Sequence, residues 1–275
     1  TEGSVVGSES LIQDIRAVRR DPSIRAVVLR INSPGGSATA SDAIWRALEV
    51  SRKEQPDRPL IASMSDLAAS GGYYIALPAQ VIVAQPGTLT GSIGIFGGKM
   101  VTGGTFAKLG AAIDAVSVGK NAQMNSPARP YTPEEQAKLE QQLQAFYDQF
   151  VEKAAAARHK TPEQIDAIGQ GRVWTGRQAR ANGLVDELGG LDRAIAIAKA
   201  RAKIPAGQSV QLVVYPARRS LYEMIASQFG GTGESALLSA FFTPGERQAV
   251  AALQAPLVLF RRGEPLALMP YSFVH

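Results

Sequence analysis

Pro59-Leu60-Ile61-Ala62-Ser63-Met64 runs directly into Ser65-Asp66-Leu67-Ala68-Ala69-Ser70-Gly71-Gly72-Tyr73-Tyr74-Ile75-Ala76, a strand-like sequence giving way to a helix-like one across small residues. The first six residues have the continuous apolar character of a short buried strand. Gly71 and Gly72 allow a tight turn that leaves backbone N–H groups unpaired, and a helix opening there aims its positive end at the Ser70 hydroxyl. Ser70 is therefore a candidate nucleophile whose developing oxyanion the turn would stabilise. A closely packed small-residue turn without chemistry fits the same four residues equally well.

The segments on either side set this turn in a rhythm. Leu11 to Arg20 has helical spacing, with Ser8 or Ser10 as a cap and Asp21-Pro22 as a stop. Ile24 to Ile31 reads as a strand running into Asn32-Ser33-Pro34-Gly35-Gly36-Ser37. A helix follows over Ala38 to Lys53, with Ile44, Trp45, Leu48 and Val50 packing inward. Further strands are expected at Val81-Ile82-Val83-Ala84 and around Val116. Strand and helix alternating in this way predict an α/β fold, a parallel sheet with crossover helices. Ligands of such sheets bind at the carboxyl ends of strands, so one site could hold both the Gly35-Gly36 and the Ser70-Gly71 turns.

Thr88-Leu89-Thr90-Gly91-Ser92-Ile93-Gly94-Ile95-Phe96 is a third glycine-rich stretch. Either it is a tight strand and turn, or it walls a groove where glycine lets a peptide backbone approach. Thr132-Pro133-Glu134-Glu135 opens a helix expected to reach about Arg158, and Thr161-Pro162-Glu163-Gln164 opens a shorter one ending near Gly169. Val173 to Asp186 suggests a strand, a helix stopped by Asn182-Gly183 and a return strand, and Leu191 to Lys203 one more helix. From Pro205 the texture changes. Val210 to Tyr215 reads as a strand, followed by Gly230-Gly231-Thr232-Gly233 and apolar patches at Leu237-Leu238 and Phe241-Phe242. Residues 1–204 are thus expected to form the main domain, and 205–275 a C-terminal appendage that packs on a neighbouring domain or subunit.

Composition narrows the chemistry. The net charge of +5 is dispersed, with only pairs such as Arg218-Arg219 and Arg261-Arg262, so no nucleic-acid partner is expected. With no cysteine, thiolate chemistry and disulfides are excluded. No metal or cofactor is implied by any motif. No run is long and apolar enough to span a bilayer, and Thr1-Glu2-Gly3-Ser4 carries no signal pattern; the chain reads as a piece of a longer one. A serine nucleophile needs a base, and His159, between Arg158 and Lys160 at a helix end, suits a capping or solvated role better. A lysine made neutral by burial remains as the base.

Asn32-Ser33-Pro34-Gly35-Gly36, Ala69-Ser70-Gly71-Gly72-Tyr73-Tyr74, Leu89-Thr90-Gly91-Ser92-Ile93-Gly94 and Gly171-Arg172-Val173-Trp174-Thr175-Gly176 with Gly183-Leu184-Val185-Asp186, in this order, resemble the signal peptide peptidase A family, also called protease IV. The resemblance runs from about Gly7 to Ala202. It implies a crotonase- and Clp-protease-like fold and a Ser/Lys-dyad serine endopeptidase of the bacterial inner membrane, facing the periplasm, oligomeric, acting on released signal peptides. Carried over, Ser70 is the nucleophile, and the Gly71 N–H with an N–H of Gly35 or Gly36 forms the oxyanion hole. Thr90, Gly91, Ser92, Ile93 and Ile95 line the substrate groove.

The base departs from the pattern. In short members a lysine lies four residues before a Ser-Pro; here that Ser-Pro is Ser126-Pro127 and the position is Ala122. Lys120 is two residues off, a displacement of about 7 Å along a strand. Long members carry two tandem copies, with the serine in the second and the lysine in the first. The resemblance then implies that this chain is the second copy, partnered by an N-terminal half that supplies the lysine and the membrane anchor. Two other readings stand beside it: a crotonase-type acyl-CoA enzyme, for which Asp42 and Asp66 are the nearest acids, and a non-catalytic scaffold.

Overall fold

A computed structural model describes residues 5–111 and 113–216, together with the backbone of 266–268. The patches at Gly230, Leu237 and Phe241 lie outside the described residues.

The central strand is β3 (Leu60–Ala69), the long element that ends at Ser70. Its first five residues are all buried, as expected of a strand covered on both faces. Along one edge it pairs in parallel with β1 (Val27–Ser33), from Val27 opposite Leu60 to Ser33 opposite Ala68, with an irregularity between Ile31 and Ser33. Along the other edge its first half pairs with β4 (Val81–Ala84) and its last three residues with β5 (Leu89–Gly91), both in parallel. β7 (Glu187–Leu188) extends the sheet beside β4. The expected parallel α/β sheet is therefore present, with one addition. β6 (Val173–Thr175) lies antiparallel on β5. It is reached through the long connection between residues 91 and 173, which can return a strand in either direction.

The helices start where the sequence marks them, with informative shifts. α1 (Ser8–Arg20) includes Ser8 in its first turn, and Gly7 takes the N-cap position without a side-chain bond, so neither Ser8 nor Ser10 caps it. α2 (Ala38–Glu54) is capped by Ser37, whose hydroxyl accepts from the Ala40 N–H. Its Ile44 and Leu48 are buried as expected, but Val50 is exposed, six residues on from Ile44 and off the buried stripe. α3 (Gly71–Ala76) follows Ser70, and α4 (Gly103–Lys108) lies further on. α5 (Pro133–Arg158) and α6 (Pro162–Asp166) open with full capping boxes, Thr132 with Glu135 and Thr161 with Gln164. α7 (Gly176–Ala181) has the same device in Thr175 and Gln178, and Gly183 turns the chain at φ +80° before β7. α8 (Leu191–Arg201) completes the set.

One compact unit holds the chain up to Gly98, Tyr131–Ser209 and residues 266–268; Lys99–Pro130 and residues 210–216 fall in a second. The core of the first unit joins Ile31, Met64, Ala68, Tyr73, Ile82, Ile93, Phe150 and Leu184. Within the second, the Thr102 N–H donates to the Pro127 carbonyl at 2.8 Å and Lys99 Nζ to the Met124 carbonyl at 2.7 Å. The strands expected around Val116 and over Val210 to Tyr215 are absent: both stretches are exposed and take no sheet pairing. Within the first unit, a short strand β2 (Gly35–Ser37) pairs antiparallel with β8 (Leu266–Leu268), Gly35 opposite Leu268 and Gly36 opposite Ala267.

Candidate active site

Ser70 closes β3 and caps α3, and its backbone bonds fix it from both sides. Its N–H donates to the Gly91 carbonyl at 2.8 Å, and its carbonyl accepts from the Tyr74 N–H at 2.8 Å. Between these anchors the residue is held at φ +52°, ψ −116°, a region that costs a side chain-bearing residue about 1–3 kcal/mol and persists only where the surroundings impose it. Ser70 is fully buried, and its hydroxyl has no hydrogen-bond partner. A small-residue packing turn would need neither the strain nor the orphaned hydroxyl, whereas a reactive serine on a strand-to-helix elbow has both.

The Gly35-Gly36 turn does reach this elbow. A methyl group at Gly71 would stand 3.2 Å from both the Gly36 nitrogen and Gly35 Cα, and 2.5 Å from Ser41 Oγ; one at Gly72 would stand 2.7 Å from the Ser33 carbonyl oxygen. Only glycine lets α3 start this close to β2. The two candidate donors differ in their contacts. The Gly35 N–H already donates to Ser33 Oγ at 3.2 Å; Gly36 lies opposite Ala267 in the β2–β8 pair, and Gly71 offers a first-turn amide without an intrahelical acceptor. Gly35 itself sits at φ +111°, where glycine is required.

The third glycine-rich stretch is nearer the core than a groove wall would be. Thr90 is fully buried and donates its hydroxyl to the Ala68 carbonyl at 2.7 Å, tying β5 to β3. Ile93 is a core residue, and Gly91, at φ +79°, lies under the Trp174 ring. Ile95 differs: with Ala38, Tyr74, Gly94, Phe146 and Phe150 it lines a small, mostly apolar cavity. Ser92 repeats the features of Ser70: it is fully buried, held at φ +50°, and its hydroxyl has no partner. The Gly91 carbonyl that holds Ser70 immediately precedes it, so two orphaned hydroxyls flank one peptide-bond contact.

Lys120 belongs to the second unit and is exposed. His159 is the left-handed C-cap of α5, at φ +52°, the capping role its position suggested. A lysine the sequence reading passed over, Lys153 on α5, is largely buried, but it is ion-paired with Asp42. Asp42 is thereby committed to a salt bridge and Asp66 is exposed, so the acids an acyl-CoA enzyme would need are occupied or turned to solvent. Among the described residues there is no cluster of side chains suited to a metal, and no helix long and apolar enough to cross a membrane.

The model of peptidase family S49 matches residues 52–205, which contain β3, Ser70 and everything from it to α8. The chain belongs to peptidase family S49. It is 44% identical over 214 residues to "Serine protease SPPA, chloroplastic" of Arabidopsis thaliana, covering 78% of this chain and 31% of that protein. To "Protease 4" of Salmonella typhi it is 40% identical over 253 residues, covering 92% of this chain and 39% of that one. This S49 chain therefore spans between about a third and two fifths of the length of these relatives. A point mutant of ClpP1 from Listeria monocytogenes superposes with a TM-score of 0.46 at 16% identity, covering 68% of this chain and 86% of that one.

Proposed function

We propose that this chain is the nucleophile-bearing part of a serine endopeptidase that cleaves extended apolar peptides, released signal peptides among them, by a Ser/Lys dyad. The observation that carries the reading is the Ser70 elbow: a buried, unpartnered hydroxyl held at positive φ, with the Gly35-Gly36 backbone packed closely against Gly71. Ser70 attacks the scissile carbonyl, and the Gly71 and Gly36 amides hold the resulting oxyanion. β2 presents an edge to which a peptide adds antiparallel, as Leu266–Leu268 does in this chain, and glycines at 35 and 36 let that backbone come close.

The base is the missing part. Ser70 and Ser92 both lack a partner, and a neutral lysine amine brought in from an N-terminal half of the same longer protein would take the Ser70 proton while bonding Ser92. That half would also carry the membrane anchor, placing the site on the periplasmic face of a bacterial inner membrane, in an oligomer.

The test compares this chain alone with the longer polypeptide, using a fluorophosphonate probe and cleavage of an apolar peptide. Only the longer form should react, and Ser70→Ala should lower its rate by at least about 10³-fold. Full activity in the isolated chain, abolished by Lys120→Ala, would overturn the two-part dyad.

A further inference from the structure

Three side chains from three helices meet behind the Ser70 elbow. Lys153 of α5 is ion-paired with Asp42 of α2 and donates to the Tyr74 hydroxyl of α3 at 2.9 Å, while that hydroxyl donates to Asp42 Oδ1 at 2.7 Å. The Lys153 ammonium also lies 3.7 Å from the centre of the Trp45 ring and 5.1 Å from that of Tyr74. Phe150 packs against Tyr74, with ring centres 4.7 Å apart. Its side chain only 15% exposed, Lys153 thus closes a triangle in which each member bonds both of the others.

The triangle stands where the two halves of the site are joined. Tyr74 is the residue whose N–H bonds the Ser70 carbonyl. Asp42 follows Ser41, the residue that presses on Gly71, and Ser41 bonds the carbonyl of Ser37, the last residue of β2. Any slip of α3 against α2 would change the spacing of the Gly71 and Gly36 amides, and a few tenths of an ångström matters to an oxyanion hole. The Asp42 side chain is 34% exposed, and an ion pair so placed is weak evidence for stability, so the informative feature is the geometry it fixes between the three helices.

We infer that Lys153, Asp42 and Tyr74 form a positioning brace that sets the register of the nucleophile helix α3 against the helix that carries the Gly35–Ser37 strand. The brace touches no substrate, and its catalytic consequence rests on the peptidase reading above. Lys153 acts as a fixed cation and not as a base, so arginine, which cannot take up a proton, serves in its place.

The experiment measures hydrogen exchange and peptide cleavage on the full-length protein with Lys153→Met, Lys153→Arg and Tyr74→Phe. Lys153→Met should speed exchange of the amides of residues 71–76 by about tenfold, leaving those of β3 and β4 unchanged. It should lower kcat by about tenfold with KM within about twofold, the split expected when a transition-state contact alone is lost. Lys153→Arg should restore most of both. Tyr74→Phe keeps the ring packing and should show the same pattern at about threefold, which serves if Lys153→Met does not fold. Unchanged exchange over 71–76 would overturn the brace, as would a KM increase at constant kcat or a failure of arginine to rescue. If the wild-type protein cleaves no peptide, the peptidase reading fails, and the exchange measurement still decides the brace.

Discussion

At the scale of single residues the site is marked by what its side chains lack. A buried hydroxyl without a partner costs about 1–3 kcal/mol, and Ser70 and Ser92 each carry that cost on top of a positive φ. Ser92→Ala should therefore leave the protein as stable as the wild type or more stable by up to about 1 kcal/mol in denaturant unfolding, while it lowers peptidase activity. A clear loss of stability would show that the hydroxyl has a structural partner. Asp42 gives the pH-dependent counterpart. Burial opposes its charge, but the hydrogen bonds from Lys153 and Tyr74 and the nearby charges of Lys153 and Arg46 outweigh it and hold the carboxyl below its usual range. A carboxyl depressed on folding contributes stability that is fully present above its unfolded value of about 3.9 and is lost as pH falls through the lower folded value. Asp42→Asn should accordingly lower stability at neutral pH and flatten its decline below about pH 4, read from thermal unfolding across pH. An unchanged acid limb would mean that other carboxylates govern it. The sequence singled out Ser70 and both glycine turns from local pattern alone. It could not show the partner of Lys153, because the contact with Asp42 spans 111 residues, although the helical spacing of Lys153 with Phe146, Phe150 and Ala157 marks it as a lysine on the apolar face of α5.

At the scale of elements, glycine placement separates the two sides of the proposed oxyanion hole. A methyl group at Gly71 meets Ser41 Oγ at 2.5 Å and backbone atoms at 3.2 Å, whereas one at Gly36 meets nothing within 4 Å. Gly71→Ala should therefore cost about 1–3 kcal/mol and most of the activity, as α3 is pushed from β2, and Gly36→Ala should fold normally. Equal stability losses at the two positions would show that α3 does not press on β2. Capping was the most legible element signal, since Thr132 with Glu135, Thr161 with Gln164 and Thr175 with Gln178 each declare a helix start by residue type. The Thr90 to Ile95 stretch was legible as backbone and not as side chains. Apolar residues between glycines suit a groove wall or a core equally, and pairing with β3 and β6 turns Thr90 and Ile93 inward and leaves Ile95 at the cavity.

At the scale of the whole molecule, parallel pairing followed from the alternation of strands and helices, but the order of the strands and the grouping of Lys99–Pro130 with residues 210–216 did not. Units that join distant segments have no linear boundary to read. The same limit applies to the base. The proposed dyad, completed by another part of a longer protein, would leave in this chain only two buried hydroxyls and not the group that meets them. Mixing separately produced halves tests this directly. With Ser70 intact in this chain, adding the N-terminal half should generate fluorophosphonate labelling at Ser70 that saturates with the added half, and a lysine-to-alanine change in that half should abolish labelling without weakening association. Charged lysine is a poor base, so labelling should also rise with pH as the ammonium loses its proton. Labelling that reached the same plateau with the lysine-free half would place the base within this chain and return attention to the second unit and Lys120.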